Sequence, residues 1–420
     1  MLATVTSVYT LLLGMGILLV GSGLLGMVVG LRAELEQFSG SVIGIIMSAF
    51  FFGYVLGSYW CPVLIRRFGH IRAFTAMAAL AAASVLVHAL IVDPIAWFVL
   101  RVITGICMLG LYMVIESWLN EQVDRSRRGK VFAVYMTVNL VALGLSQFLI
   151  LVYGPAGMAS FLLVAMLFSL GLIPIALTNV REPSPVEAPS FSLGHMFRMS
   201  PLGVVGGFAS GLVNGAFWGM GPVFAHRIGM DAQAIAIFMS GIILGGALLQ
   251  FPIGHYSDRY DRRAVLTYTA IISAGIAAAA VFAAQFSHAL LIAVAILYGG
   301  FSFSVYSLSV AHFNDQVEPG EILEATRGLL LLNGMGAALG PALAGGMMQV
   351  FGPRSLLAYW AIVLGLLGAF ALWRMRAGAP VPAEAQGEFV PMSRTSAAAL
   401  EMDPRVELEP ELDLGPQRAG

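Results

Sequence analysis

Charged residues make up only 11% of this 420-residue sequence, against 59% apolar ones. A water-soluble fold built from it would have far too little polar surface to cover its core. Lysine is nearly missing. Lys130 stands alone and is followed by Val131, which excludes a GxxxxGK[ST] phosphate loop and any retinal Schiff base on a buried lysine. Neither HExxH nor GxSxG occurs, so the common metalloprotease and serine-hydrolase signatures are missing, and no enzymatic activity is expected. Cysteine is limited to Cys61 and Cys107, both inside apolar runs, where they read as packing residues rather than a disulfide framework. No metal, cofactor or nucleic-acid partner is expected.

What is present is hydrophobic length. Mean hydropathy is +0.86, and a bilayer core needs about 20 apolar residues per helix. The sequence supplies twelve such runs, at roughly 8–30, 42–65, 73–92, 95–117, 131–153, 158–179, 201–224, 233–256, 264–285, 288–312, 326–350 and 355–374. The first run has no basic residue before it and is too long for a typical signal h-region, so it reads as a retained span. Cytoplasmic loops keep positive charge. Arg66, Arg67, Arg72, Arg125, Arg127, Arg128, Lys130, Arg181, Arg198, Arg259, Arg262, Arg263, Arg327, Arg374 and Arg376 all fall on one side, against Arg32, Arg227 and Arg354 on the other. Both termini are therefore expected in the cytoplasm, with the body in the inner membrane.

The chain also repeats itself. LIRRFGHIRAF at Leu64–Phe74 is answered 192 positions later by YSDRYDRRAVL at Tyr256–Leu266. Asn120-Glu121-Gln122-Val123 returns as Asn314-Asp315-Gln316-Val317, Arg128-Gly129 as Arg327-Gly328, and Tyr153-Gly154-Pro155 as Phe351-Gly352-Pro353. Each unit has an even number of spans, so the copies enter the bilayer in the same sense and form parallel repeats. The expected organisation is an all-α membrane protein of 12 transmembrane helices in two six-helix bundles, 1–180 and 201–376. A central loop at 181–200 carries Pro183, Pro185 and Pro189. From residue 377 onward prolines and acids replace the apolar periodicity, and 377–420 reads as a disordered acidic tail.

Gly254 followed by HYSDRYDRR resembles the loop signature of the major facilitator superfamily. Arg101 followed by Gly105 is similar to that superfamily's second motif, and Gly336, Gly340, Pro341, Gly345 and Gly346 approximate its glycine-proline motif, with one residue too many before the final pair. ESWLN at Glu116–Asn120, Arg128-Gly129 and AHFND at Ala311–Asp315 resemble its uncharacterised bacterial YcaD-like branch. The resemblance spans roughly residues 6 to 376 and implies a secondary transporter with inner helices around a solute pathway. The first hinge departs from the pattern, with Arg66 where the acid is expected and His70 among the basic positions. The second half keeps the acid, as Asp258.

Polar side chains inside spans are costly in lipid and mark the pathway. Arg101, Glu116, Asn139, Gln147, Asn214, Gln250, His312 and Asn333 lie in spans four, five, seven, eight, ten and eleven, whereas spans three, six, nine and twelve hold only His88 well inside. Two roles are open to most of them. Glu116 either carries a proton or pairs with Arg128 or another rim arginine. Arg101 either snorkels outward or faces an anionic or carbonyl-bearing solute. His312 either titrates or is a hydrogen-bonded structural residue, and the amides Asn139, Asn214, Gln250 and Asn333 either contact solute or bond helices together. Arg66, Arg67, Asp258, Arg259, Arg262 and Asp315 form a candidate cytoplasmic gate, because an arginine fork can bridge carboxylates and helix ends. An acid within a basic hinge is not required by the orientation rule, which singles out Asp258.

The expected function is alternating-access transport of a small solute, with protons as the coupling ion (motivated by Glu116, His312 and Asp315), the lipid bilayer as surroundings, and a monomeric chain. Efflux is favoured over uptake, because a sparsely charged cavity suits amphipathic compounds. An uptake permease for a neutral nutrient, and a non-transporting sensor or lipid-moving protein, are the alternatives.

Overall fold

The computed structural model describes residues 2–123, 128–177, 183, 192–318, 321–376, 381–382, 385–392 and 394–400. Arg125, Arg127, Arg181, most of the central loop and residues 401–420 lie outside the described residues. Twelve helices are long and apolar enough to span a bilayer: α1 (Val8–Leu35), α2 (Gly40–Phe68), α3 (His70–Leu90), α4 (Pro94–Gln122), α5 (Gly129–Tyr153), α6 (Ala159–Ala176), α7 (Pro201–Arg227), α8 (Ala232–Ser257), α9 (Arg262–Phe286), α10 (His288–Asn314), α11 (Ile322–Phe351) and α12 (Ser355–Met375). No strand occurs among the described residues, as expected where lipid leaves each backbone polar group to be satisfied within its own segment. Several helices run past their apolar stretch; α4 continues through Asn120 and Gln122.

The repeat seen in sequence persists in the helix caps. Ser39 caps α2 by accepting from Val42 N at 3.3 Å, and Asp231, 192 positions on, caps α8 from Ala234 N at 2.8 Å. Asp93 caps α4 through Ala96 N at 2.8 Å, and Ser287, 194 positions on, caps α10 through Leu290 N at 3.1 Å. Each side-chain oxygen satisfies an N–H that the first turn leaves unpaired. Gly154 and Gly352 close α5 and α11 at φ 66 and 83, a region open to glycine at no steric cost.

Packing repeats as well. In the first half α1 packs on α5 and α6, α2 on α4, and α3 on α4 and α6; in the second, α7 packs on α11 and α12, α8 on α10, and α9 on α10 and α12. The tightest points also match: a methyl on Gly53 or Gly105 would overlap the α4 or α2 backbone at Val102 or Phe50, and one on Gly245 or Gly299 would overlap Ile296 or Ile242 across α8 and α10. Such contacts are how membrane helices gain dispersion energy where the solvent is as apolar as they are. The halves meet through α2·α11, α5·α8, α1·α7 and α2·α7, while α3, α6, α9 and α12 pack mainly within their own half and expose Leu80, Leu170, Phe282 and Leu366 outward.

The tail differs from expectation over its described part. Instead of remaining free, Gln386–Met392 and Arg394–Leu400 run back between the two halves and end in a short helix, α13 (Ala397–Leu400), with Ala398 and Ala399 fully buried. The composition of 377–420 averages unlike pieces. Between Phe389 and Leu400 there is no acid, and the stretch FVPMSRTSAAAL is apolar or small apart from Arg394 and its hydroxyls.

Candidate functional site

The face opposite the arginine hinges is sealed. Arg227 at the end of α7 holds Glu34 at the end of α1 with two nitrogens, at 2.8 to 3.0 Å, and Gly40 N donates to Gln349 Oε1 at 2.7 Å across α2 and α11. Ser48 Oγ accepts from Ala342 N at 3.0 Å. Gly44 lies flush against the Pro341 carbonyl and Gly345 against Gly40. The α11 glycine-proline motif therefore serves two contacts, since Gly336 and Gly340 simultaneously press on α7 at Phe208 and Leu212.

Inward of this seal lies a cavity of about 290 Å³. Met27, Met47, Phe50, Tyr54, Tyr112, Met136 and Trp218 give it an apolar and aromatic wall, and Arg101, Asn139, Gln147, Asn214, Gln250 and Asn333 are among its polar groups, together with Arg327 and, from the tail, Arg394 and Thr395. Six of the eight intramembrane polar residues singled out in sequence thus converge on one space. Arg101 is 3% exposed, and its guanidinium lies 4.5 Å from the Phe50 ring centroid, pointed inward rather than toward the membrane surface. No carboxylate among the described residues pairs with it, and its Nε has no hydrogen-bond partner. Asn214 donates to Ser210 O at 2.8 Å, but its Oδ1 is likewise unpartnered. Buried polar atoms left open at the same cavity mark where a ligand's atoms fit. The other amides are partly committed. Gln250 donates to Ser307 across α8 and α10 at 2.7 Å, Asn333 to Gly207 O across α11 and α7 at 3.0 Å, and Asn139 to Tyr135 O on its own helix at 3.1 Å.

Glu116 and His312 are not among the residues lining this cavity. His312 is buried near the hinge end of α10 and contacts Gln316 at 3.4 Å. Glu116 is fully buried near the hinge end of α4; the Tyr135 hydroxyl donates to its Oε1 and the Ser396 hydroxyl to its Oε2. The side chain of Arg128, an expected partner, lies outside the described residues.

The two hinges are built differently. In the second, Arg262 is 1% exposed and lies between two acids, with Nη1 on both oxygens of Asp315 at 2.7 Å and Nη2 on Asp258 at 2.8 Å, while Asp261 caps α9 through Arg263 N at 3.0 Å. All these residues belong to the second half, so the network ties α8, α9 and α10 together rather than bridging the halves. In the first hinge Arg66 and Arg67 are exposed, Arg67 lying 5.3 Å from the Phe68 ring centroid. Its turn relies on Gly69 at φ 81, and the position equivalent to Arg262 is His70, buried beside Trp118. Arg259 is exposed and belongs to neither network.

Between the halves on the hinge face lies the tail. On the second-half side Gly387 N donates to Asp315 Oδ1 at 3.1 Å, Phe389 N to Asp258 Oδ1 at 2.8 Å and Met392 N to Ser307 Oγ at 3.0 Å. Arg262 donates to Gly387 O at 2.7 Å. Arg394 donates to Phe303 O at 2.9 Å and lies over the Phe303 and Tyr306 rings at 5.4 and 5.2 Å. Burial pushes its guanidinium down to about 10, still protonated at neutral pH. On the first-half side Asn120 donates to Ala398 O at 2.7 Å and the hydroxyls of Tyr135 and Thr395 meet at 2.7 Å.

The family model described as Major Facilitator Superfamily matches residues 11–245 and again 203–405. The chain belongs to the major facilitator superfamily. Among curated relatives, the uncharacterized MFS-type transporter YcaD of Escherichia coli O17:K52:H18 (strain UMN026 / ExPEC) is 27% identical over 354 residues, 83% of this chain and 91% of the relative. YcaD of Escherichia coli O45:K1 (strain S88 / ExPEC) gives the same figures. Among solved structures, a mutant of the nucleoside transporter NupG superposes with TM-score 0.76 at 16% identity, covering 88% of this chain and 100% of that one. A bacterial homolog of the human lysosomal transporter Spinster, in an inward-facing and occupied conformation, gives 0.74 at 15%, covering 90% and 97%. At that identity the structures show the shared fold alone. The family points to a multi-pass membrane transporter rather than an enzyme.

Within the superfamily frame, sequence reasoning missed the aromatic wall and the tail. Tyr54, Tyr112 and Trp218 carry no signal distinguishing them from other buried aromatics. The tail had a signal, the acid-free window Phe389–Leu400.

Proposed function

We propose that this chain is a secondary active transporter of the cytoplasmic membrane that moves a small amphipathic anion by alternating access. The hinge face and both termini lie in the cytoplasm, which the arginine-rich hinges support. The observation that carries the solute class is the cavity wall. Arg101 and Arg327 reach it from the transmembrane helices and no Asp or Glu does, while the remaining wall is largely apolar and aromatic. A guanidinium in an enclosed apolar space binds a carboxylate or similar group bidentately at far better return than in water, and the aromatic wall receives an apolar body. A substrate polarised this way partitions readily into a bilayer, which favours export. Glu116 near the hinge end of α4, with Asp315 and His312 near the hinge end of α10, supplies the groups for proton coupling.

The test is thermal stabilisation of the purified protein against a panel of aromatic and medium-chain carboxylates, matched amides and matched amines, followed by counterflow in proteoliposomes with any hit. Carboxylates should stabilise and the neutral and cationic analogues should not, and Arg101→Gln should abolish the difference. Stabilisation by amines, or an unchanged preference in Arg101→Gln, would overturn the assignment.

A further inference from the structure

The tail residues Gln386–Met392 and Arg394–Leu400 make contacts of a kind that bound peptides make. Its backbone N–H groups at Gly387, Phe389 and Met392 are each received by a side chain of the transporter body, Asp315, Asp258 and Ser307, and its hydroxyls reach Tyr135 and Glu116. The Phe389 ring rests on Gly254, where even a methyl group would overlap it. Met392 and Leu400 join an apolar cluster with Val310, Phe313 and Leu329. We propose that the space between the two halves on the hinge face is a binding site for the chain's own C-terminal segment, which plugs the pathway and holds that face open.

The physical case rests on where the contacts fall. The segment is bonded to α4 and α5 on one side and to α8, α9 and α10 on the other, so closing the hinge face would drive both walls into the space it occupies. The opposite face is already sealed by the Glu34–Arg227 pair, so the plugged molecule has one entrance and the tail fills it. Sequence agrees with placement. The segment's single acid, Glu388, is exposed, and none occurs between Phe389 and Leu400, so no carboxylate is carried in the stretch that lies against Glu116 and Ser307; downstream, acids resume at Glu401 and recur at Asp403, Glu407, Glu409 and Glu411. The plug's one cation, Arg394, is placed over the Phe303 and Tyr306 rings, away from competition with Arg262 for the hinge acids.

The experiment uses the full chain with Cys61→Ser and Cys107→Ser, and Ser307→Cys as a reporter under Met392, labelled with a membrane-impermeant maleimide. The full chain should label slowly. A chain ending at Arg376 should label about tenfold faster or more, and a synthetic peptide of residues 385–400 should return it to the slow rate. Two full-length variants give the same result if truncation impairs folding: Ser396→Asp sets a carboxylate against Glu116, and Gly254→Leu fills the seat of Phe389. A second readout is the distance between spin labels at Ile71→Cys and Tyr260→Cys, both exposed on the hinge face; loss of the plug should add a shorter population. Unchanged labelling in all three variants, failure of the peptide to protect, or unchanged distances would overturn the proposal. Neither readout depends on the solute, so the plug stands or falls separately from the assignment of an anionic substrate.

Discussion

Neutralising Glu34 should unlock the sealed face. Glu34 and Arg227 join α1 to α7 through three N–O contacts of 2.8 to 3.0 Å, and their side chains are 18% and 19% exposed. A hydrogen bond to a charged group contributes about 1.5–3 kcal/mol, and a fully solvated pair contributes less than about 1 kcal/mol. This pair is mostly buried and bidentate but reaches solvent, so about 1–2 kcal/mol is the reasonable discount. That energy exists only while the face is closed, so Glu34→Gln shifts the closed-to-open equilibrium there by about 5- to 30-fold. The assay is double electron–electron resonance between labels at Val92→Cys and Gln233→Cys in the Cys61→Ser, Cys107→Ser background, two positions exposed on that face in different halves. Glu34→Gln and Arg227→Gln should each add a longer-distance population, and the double variant should add little beyond either. An unchanged distribution in Glu34→Gln would refute the reasoning and leave the α2·α11 glycine contact as the seal.

Three further outcomes follow from the packing. Gly105→Val and Gly299→Val each force a side chain into the facing helix backbone and should cost about 1–3 kcal/mol, read as a lower Tm in detergent; Gly275→Ala, with nothing near its added methyl, should leave Tm unchanged or raise it slightly. Arg262→Met leaves Asp258 and Asp315 without their shared cation and should destabilise by about 3–5 kcal/mol, read as a lower Tm, whereas Arg66→Met on the exposed first hinge should be near neutral. Glu116→Gln should abolish any response of solute flux to an imposed pH gradient in proteoliposomes, and flux indifferent to the gradient in the parent chain as well would remove proton coupling.

Much of the fold was legible because each half encodes the same constraints at the same spacing. The 192-residue spacing read in the hinges recurs in the folded chain, where Ser39 and Asp231 cap equivalent helices and Gly53 and Gly245 make equivalent close approaches. The inequality of the hinges was visible as Arg66 against Asp258, but its consequence was not. Asp258 and Asp315 read as members of a gate between halves, and they converge instead on Arg262 within one half. Helical periodicity gives the face on which a residue sits, whereas which arginine fills the gap between two carboxylates depends on how three helices cross. The same limit applied to the polar residues: their presence within spans marked Arg101, Asn139, Asn214, Gln250 and Asn333 as a group, yet Glu116 and His312, equally conspicuous, lie toward the hinge face and off the cavity.

Hydrophobic length and charge placement, which are local and additive along the chain, sufficed to determine a membrane protein of twelve helices in two like-oriented halves. Three features required the folded chain: the face on which the halves are sealed, the open guanidinium of Arg101 in an acid-free cavity, and the return of Phe389–Leu400 between the halves. Each is a meeting of residues fifty or more positions apart, and the last is the plainest case. A short acid-free stretch buries too little on its own to be distinguished from a disordered tail; its ordering depends on acceptors and an apolar seat supplied by helices from both halves, which no local reading of the segment contains.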